Sequence, residues 1–169
     1  EPIAVDLGTG SGAIALAMAT EVPHARVVAV ERSAAAHGWA AKNVTHVGAT
    51  NLELRRGDFA HALDDLAGTV AVIASNPPYV PADAIPRDLE VRLHDPKEAL
   101  YSGADGLDDI RIISGVGLRL GYPGSSIVLE HGEWQGAEIR EILTADGWQS
   151  AATHQDLTMR DRVTTAVHP

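Results

Sequence analysis

The chain has 169 residues, 45% of them apolar and 21% charged, with a formal net charge of −10 and no cysteine. These are the values of one ordinary globular domain over residues 1–169, and the acidic balance argues against a broad nucleic-acid surface, because phosphate binding is carried largely by Lys and Arg. Without cysteine there is no disulfide, no thiolate nucleophile and no cysteine zinc site, no apolar run approaches the roughly 20 residues of a membrane helix, and a cytoplasmic protein is the expectation.

In chain order, Ile3–Leu7 reads as a short apolar strand running into a Gly-rich turn, with a helix over 12–20. A second strand over 26–30 ends at Glu31, and Ser33 is placed to cap a helix carrying Ala35, Trp39 and Val44 at helical spacing. Leu52–Arg56 alternates as a third strand and 69–74 forms a fourth. Strands alternating with helical stretches predict βαβ units, a parallel sheet and an α/β, doubly wound Rossmann-like fold. A long irregular segment over 80–104 follows, rich in proline and mixed charge, of the kind that serves as a lid. Glu98, Tyr101 and Asp105 are its polar candidates for meeting a ligand, and a plain tether is the simpler alternative. A helix over 107–120 stopped by Gly-Tyr-Pro-Gly, a fifth strand over 126–130 and a helix over 137–145 come next. The tail reads as two strands joined near Met159-Arg160-Asp161, pairing antiparallel at one edge of an otherwise mostly parallel sheet.

The first loop carries chemistry. Asp6-Leu7-Gly8-Thr9-Gly10-Ser11-Gly12 lies between a strand and a helix, so its glycines allow φ > 0 and close approach of a ligand to the main chain. The free N–H groups at the following helix start can seat a carboxylate or phosphate. Gly8-x-Gly10-x-x-Ala13 satisfies a dinucleotide fingerprint, and Glu31 lies where an acidic side chain can take both ribose hydroxyls. The turn therefore supports a nicotinamide or flavin dinucleotide, or S-adenosylmethionine. Asp6 favours the latter, since it would crowd a pyrophosphate but can hold the turn or face an ammonium. Asp58 and Phe59 end the third strand on the same sheet edge, where a carboxylate can accept from an adenine amino group and a ring can stack on the base. Gly57-Asp58 is equally a common turn, and Phe59 equally a core residue.

The fourth strand stops at Asn76-Pro77-Pro78-Tyr79. Prolines end strands anywhere, by removing a donor and fixing φ. The same tetrad also suits methylation of a planar amino nitrogen, whose lone pair is delocalised. Acceptors on its two N–H bonds turn the group toward a lone-pair-bearing geometry, and the amide carbonyl of Asn76 and the backbone carbonyl of Pro77 can serve as those acceptors. Tyr79 offers a flat face for a planar amide or base. The contribution is orientation rather than general-base catalysis.

In this order and spacing, "DLGTGSGAIALA", Glu31, "GDF" and "NPPY" resemble class I methyltransferases that use S-adenosylmethionine. With "DPKEALYSGADGLDDIR", "LEHG" and "RDRV", nearly the whole sequence is similar to the HemK-type protein-glutamine methyltransferases. These modify peptide-chain release factors, which act in translation termination, at the glutamine of a Gly-Gly-Gln loop, and leave S-adenosylhomocysteine. The resemblance implies that Gly8, Thr9, Gly10, Ser11 and Gly12, with Asp6, hold the methionine part of the cofactor and Glu31 the ribose. It implies that Asp58 and Phe59 flank the adenine, and that Asn76, Pro77, Pro78 and Tyr79 hold the glutamine amide. Asn76, Pro77 and Tyr79 are the catalytic candidates, and Asn76 also borders the cofactor. The tetrad is shared with adenine-amino methyltransferases acting on DNA or RNA, which are the alternative. Family members carry an N-terminal helical domain before the first strand, so this sequence reads as a catalytic domain expected to be monomeric.

Of eight histidines none has a metal-ligand spacing, and no metal is expected. His131 is the one expected near the active edge, most simply as a satisfied buried residue beside Glu130 and Gly132. Arg160 and Arg162 could face a substrate or sit in a solvated turn. Trp39, Trp134 and Trp148 read as core or surface packing.

Overall fold

The structure, a computed structural model, describes residues 1–85 and 89–169. The strands are β1 (Ile3–Leu7), β2 (Arg26–Glu31), β3 (Leu52–Arg56), β4 (Val70–Ser75), β5 (Gly121–Glu130), β6 (Gln149–Gln155) and β7 (Asp161–Val167). They form one seven-stranded sheet in the order β3-β2-β1-β4-β5-β7-β6. β1 to β5 pair parallel, and β7 runs antiparallel to both β5 and β6. The order reverses between β1 and β4, which leaves a crevice at the carboxyl ends of those strands, the usual ligand position in open α/β sheets.

Strand β2 shows why two layers of helix are needed. Val27 and Ala29 face a small core with Ala15 and Ala19 of α1 (Ala13–Glu21), while Val28 and Val30 face the main core. Successive side chains on a strand point to opposite faces, so a strand apolar at every position is buried on both. The main core takes Ile110, Ile113, Val116 and Leu120 from α4 (Asp108–Leu120) and Ile139 and Leu143 from α5 (Gly136–Asp146). Helix α2 (Ala34–Val47) starts where the Ser33 hydroxyl accepts from Ala36 N–H at 3.4 Å and ends on left-handed Gly48, a capped helix as its sequence suggests.

Two stretches differ from the sequence reading, at the start of β5 and in the 80–104 segment. β5 begins at Gly121, because Gly-Tyr-Pro-Gly does not leave the sheet: Val70 pairs with Gly121 and Val72 with Ser126, so 122–125 bulges out of register around Gly124 at φ 91°. The β6–β7 turn spans 156–160 and so includes Met159 and Arg160 as expected; it is held by Asp156, whose Oδ1 accepts from Thr158 N–H, the Thr158 hydroxyl and Arg160 N–H. The 80–104 segment is not wholly irregular. It carries a short helix, α3 (Leu89–His94), and a 3-10 turn at Lys97–Ala99, while its portion at 86–88 lies outside the described residues. Its two ends meet in a bridge: Val80 N–H donates to Leu100 C=O at 2.8 Å, and Ser102 N–H to Val80 C=O at 3.1 Å.

Trp148 is buried and donates from Nε1 to the Ser114 hydroxyl at 3.2 Å, whereas Trp39 is exposed under the Lys42 ammonium. Among the described residues no helix is long and apolar enough to cross a membrane.

Candidate active site

The strand-order reversal opens into a cleft of about 1270 Å³, with the Gly-rich turn on one side and the Asn76–Tyr79 tetrad on the other. Pockets for one small molecule hold roughly 300–1,000 Å³, so this cleft has room for a cofactor and part of an acceptor.

The turn is built on main-chain bonds. Gly8 and Thr9 N–H both donate to Val30 C=O, at 3.0 and 2.9 Å, which ties the loop to the end of β2. Gly8 and Gly10 have φ of 72° and 59°, and a Cβ at either would meet nothing within 4 Å. Glycine is thus required by backbone conformation, and the space over the loop is left open to a ligand. The Glu31 carboxylate is 8% exposed; Oε2 accepts from Gly10 N–H at 2.9 Å and Oε1 from Ser33 N–H at 2.7 Å. Each oxygen keeps a free lone pair, so Glu31 can brace the turn and still receive hydroxyl donors.

Asp6 lies beneath the turn, 1% exposed. Its Oδ2 accepts from the Thr9 hydroxyl at 2.5 Å and from Ala15 N–H at 3.1 Å, while Oδ1 is buried with no partner. Burial pushes its carboxyl up to about 6 against the two hydrogen bonds, with the nearby Glu31 charge adding to the rise. A buried carboxylate oxygen without a partner in a cleft wall calls for a donor, and a ligand ammonium supplies one.

On the opposite wall, β4 delivers the tetrad. The Ser75 hydroxyl donates to Leu7 C=O at 2.6 Å, fixing the strand end against β1. Asn76 is exposed to the cleft and its side-chain amide makes no hydrogen bond among the described residues. Pro77 is buried, and Pro78 and Tyr79 are half-buried. The Asn76 amide, which the sequence singled out, is therefore left without a protein partner.

Of the residues singled out by sequence, Asp6, Gly8, Thr9, Gly10, Ser11, Glu31, Phe59 and the four of the tetrad line this cleft. Gly12 and Asp58 do not. Gly12 packs against Ala40 of α2 and serves the turn through its φ of 91°. Asp58 uses Oδ1 locally, accepting from Ala60 N–H at 2.9 Å, the alternative turn reading of Gly57-Asp58. Glu98 and Asp105 reach the cleft, but Tyr101 does not line it. Arg160, Arg162 and Trp134 do, the last 75% exposed. His131 is fully buried and satisfied, Nδ1 against Gly132 C=O and Nε2 against the Thr164 hydroxyl, both at 2.8 Å, and burial pushes its pKa down. Sequence reasoning missed Gln135. Its amide ties the tetrad to two other loops, and no local pattern marks a contact made 56 residues away in sequence.

A seven-stranded sheet of this order, with a Gly-rich turn, an acidic β2 end and an amide-bearing β4 end around one crevice, defines the class I methyltransferase fold. A solved methyltransferase from Pyrococcus furiosus has the same fold, with a TM-score of 0.70 at 18% identity over 98% of this chain and 74% of that one. The chain belongs to the Methyltransferase small domain family, which it matches over residues 2–103, and S-adenosylmethionine is its cofactor. It is 47% identical to the release factor glutamine methyltransferase of Streptomyces coelicolor, over 98% of this chain and 59% of that protein. It is 38% identical to the 4-amino-L-phenylalanine/4-methylamino-L-phenylalanine methyltransferase of Streptomyces pristinaespiralis, over 98% of this chain and 56% of that protein. The chain thus spans somewhat more than half the length of these curated relatives.

The residues present fit the cofactor. The open glycine cradle admits its amino-acid portion to the main chain, the unpartnered Asp6 Oδ1 can take its ammonium, and Glu31 can take its ribose hydroxyls. Phe59 packs against the main core and also lines the cleft, where it can bear on the base. When bound, it supplies an electrophilic sulfonium methyl group.

Proposed function

We propose that this protein is the catalytic part of a release factor glutamine methyltransferase, moving a methyl group from S-adenosylmethionine to the side-chain amide nitrogen of the glutamine in a release factor's Gly-Gly-Gln loop. The observation that carries the reading is the exposed, unpartnered Asn76 amide, at the end of β4 and in one cleft with the glycine cradle. The name of the Streptomyces coelicolor relative supports the choice of acceptor. In this reading the amide carbonyl of Asn76 and the backbone carbonyl of Pro77 accept from the two N–H bonds of the glutamine amide, and the Tyr79 ring bears on the amide plane. The nitrogen is held as a near-attack partner of the methyl group, and its surplus proton leaves to water. The protein acts as a monomer in the cytoplasm, on a protein and not on nucleic acid. The net charge of −10 supports the last point.

The test is methyl transfer from labelled cofactor to four acceptors in parallel. These are an intact release factor, the same factor with its loop glutamine changed to alanine, 4-amino-L-phenylalanine and a mixed oligonucleotide. Label confined to the intact factor supports the reading. Label in the aryl amine or the oligonucleotide, with none in the factor, overturns it.

A further inference from the structure

The tetrad has an anchoring problem set by its own sequence. Pro77 and Pro78 have no N–H, so neither can be held by donating a backbone hydrogen bond. Its leading end is secured by the sheet, through Ser75 and the pairing of β4 with β1 and β5. Beyond its trailing end the Val80 bridge to Leu100 and Ser102 holds the chain, but the Tyr79 carbonyl itself lies outside the sheet and takes its donor from a side chain.

Gln135 supplies it. This residue immediately precedes α5, and its side-chain amide joins three loops at the carboxyl edge of the sheet. Nε2 donates to Tyr79 C=O at 2.9 Å and more weakly to Asp105 C=O at 3.4 Å, and Oε1 accepts from Gly132 N–H at 2.9 Å. The surroundings are shaped to the same contact. A Cβ on Gly106 would lie 2.3 Å from the Tyr79 carbonyl oxygen and 2.9 Å from Gln135 Nε2, and φ there is 80°. A Cβ on Gly132 would lie 3.0 Å from Gln135 Oε1 and 3.7 Å from Cδ2 of the Tyr79 ring. The Tyr79 carbonyl therefore meets Gln135 Nε2 at a point where Gly106 leaves no room for a side chain, and its ring lies beside the turn that Gln135 closes.

We propose that Gln135 is a positioning residue for methyl transfer: by clasping the Tyr79 carbonyl it fixes the trailing end of the acceptor clamp. It lines the acceptor side of the cleft and makes no hydrogen bond to the glycine cradle, so its influence falls on the acceptor half alone. This inference rests on the amide-acceptor reading of the tetrad. A misplacement of about 1 Å at a reacting group can cost on the order of 10²-fold in rate.

The experiment compares Gln135→Ala and Gln135→Glu with the parent protein. Glu keeps the acceptor for Gly132 N–H but loses both donations when ionised. Three readouts are taken: cofactor Kd by calorimetry, kcat and KM with a release factor, and hydrogen exchange of the 76–82 backbone. The expected result is a cofactor Kd unchanged within about twofold and a kcat lower by about 10- to 100-fold in both variants. Faster exchange at 76–82 without loss of the overall melting transition is expected alongside. Gly106→Ala, whose Cβ would crowd both the same carbonyl and Gln135 Nε2, should lower kcat and combine with Gln135→Ala less than additively. An unchanged kcat, whether or not exchange is faster, or a cofactor Kd that weakens in step with kcat, would overturn the inference. A parent protein that transfers no methyl group to the factor would sink the acceptor reading instead, and the exchange experiment would still report whether Gln135 holds the tetrad.

Discussion

The two walls of the cleft are built by different means. The wall proposed to hold the cofactor is made of main-chain bonds and buried carboxylates: Gly8 and Thr9 hang from Val30 C=O, Glu31 braces Gly10, and Asp6 sits under the turn. The wall proposed to hold the acceptor is made of a proline-stiffened tetrad, a segment closed at its neck by Val80 and Leu100, and one glutamine amide spanning three loops. The cofactor wall is local in sequence and buried. The acceptor wall is assembled over long range, and its rim is exposed, with Ile85 71% and Trp134 75% accessible. One wall is suited to a ligand of fixed shape, and the other to a large partner that brings its own surface.

The separation of the two walls can be broken first at the turn. Gly10→Val places a β-branched residue at φ 59°, which costs about 1–2 kcal/mol of backbone strain and fills the cradle. Calorimetry should then show cofactor binding weakened by on the order of 100-fold or more, with methyl transfer lost as a consequence. Retained cofactor binding would mean that the cradle is not the binding site.

Asp6 gives the next largest effect. Replacing it with Asn removes a charge-assisted bond worth about 1.5–3 kcal/mol, so cofactor Kd should rise roughly 10- to 100-fold. The pH dependence follows from its raised pKa. The carboxyl moves from 3.8 unfolded to about 6 folded, so the cofactor-free native state binds the extra proton. That contribution to stability is fully present below pH 3.8 and is lost as pH rises through about 6, amounting to about 3 kcal/mol at most. Thermal melts of the cofactor-free protein should show this loss between those values, and Asp6→Asn should abolish it. A bound ammonium favours the ionised form, so cofactor affinity should fall as pH drops below about 6. An affinity independent of pH between about 5 and 7.5 would place the ammonium elsewhere.

The smallest effects belong to the rim. Trp134→Ala and Ile85→Ala should each raise the KM for a protein acceptor a few-fold, leaving cofactor Kd and melting temperature unchanged. A shift in cofactor Kd would show that the two walls are not independent.

The same division governs what could be read from the sequence. The cofactor wall was legible because strand, glycine turn and helix are consecutive, and each glycine answers a backbone demand at its own position. The tetrad's place in the cleft was legible because its four residues are adjacent and directly end a strand. Asp58 illustrates the limit within a loop. A carboxylate at a strand end can face a ligand or bond to the backbone two residues on, and only the folded loop shows that it takes Ala60 N–H. Gln135 illustrates the limit over distance. Nothing beside it in sequence distinguishes it from an ordinary residue at a helix start, and its role exists only once β4, β5 and the 104–107 turn share an edge. The continuation of β5 back to Gly121 was hidden for a related reason, since Pro123 and Gly124 signal a break that the sheet absorbs as a bulge.

The most direct measurement concerns Asn76. The parent protein, Asn76→Ala and Asn76→Asp are compared for cofactor Kd by calorimetry and for single-turnover methyl transfer to a release factor, with the modified residue located by mass spectrometry. The expected result is a cofactor Kd within about threefold of the parent in the alanine variant, with transfer to the loop glutamine slower by on the order of 10²-fold or more. Asn76→Asp, which keeps an acceptor oxygen, should fall between the two. Transfer that survives alanine at this position, or a methyl group found on any other residue, would contradict the amide clamp.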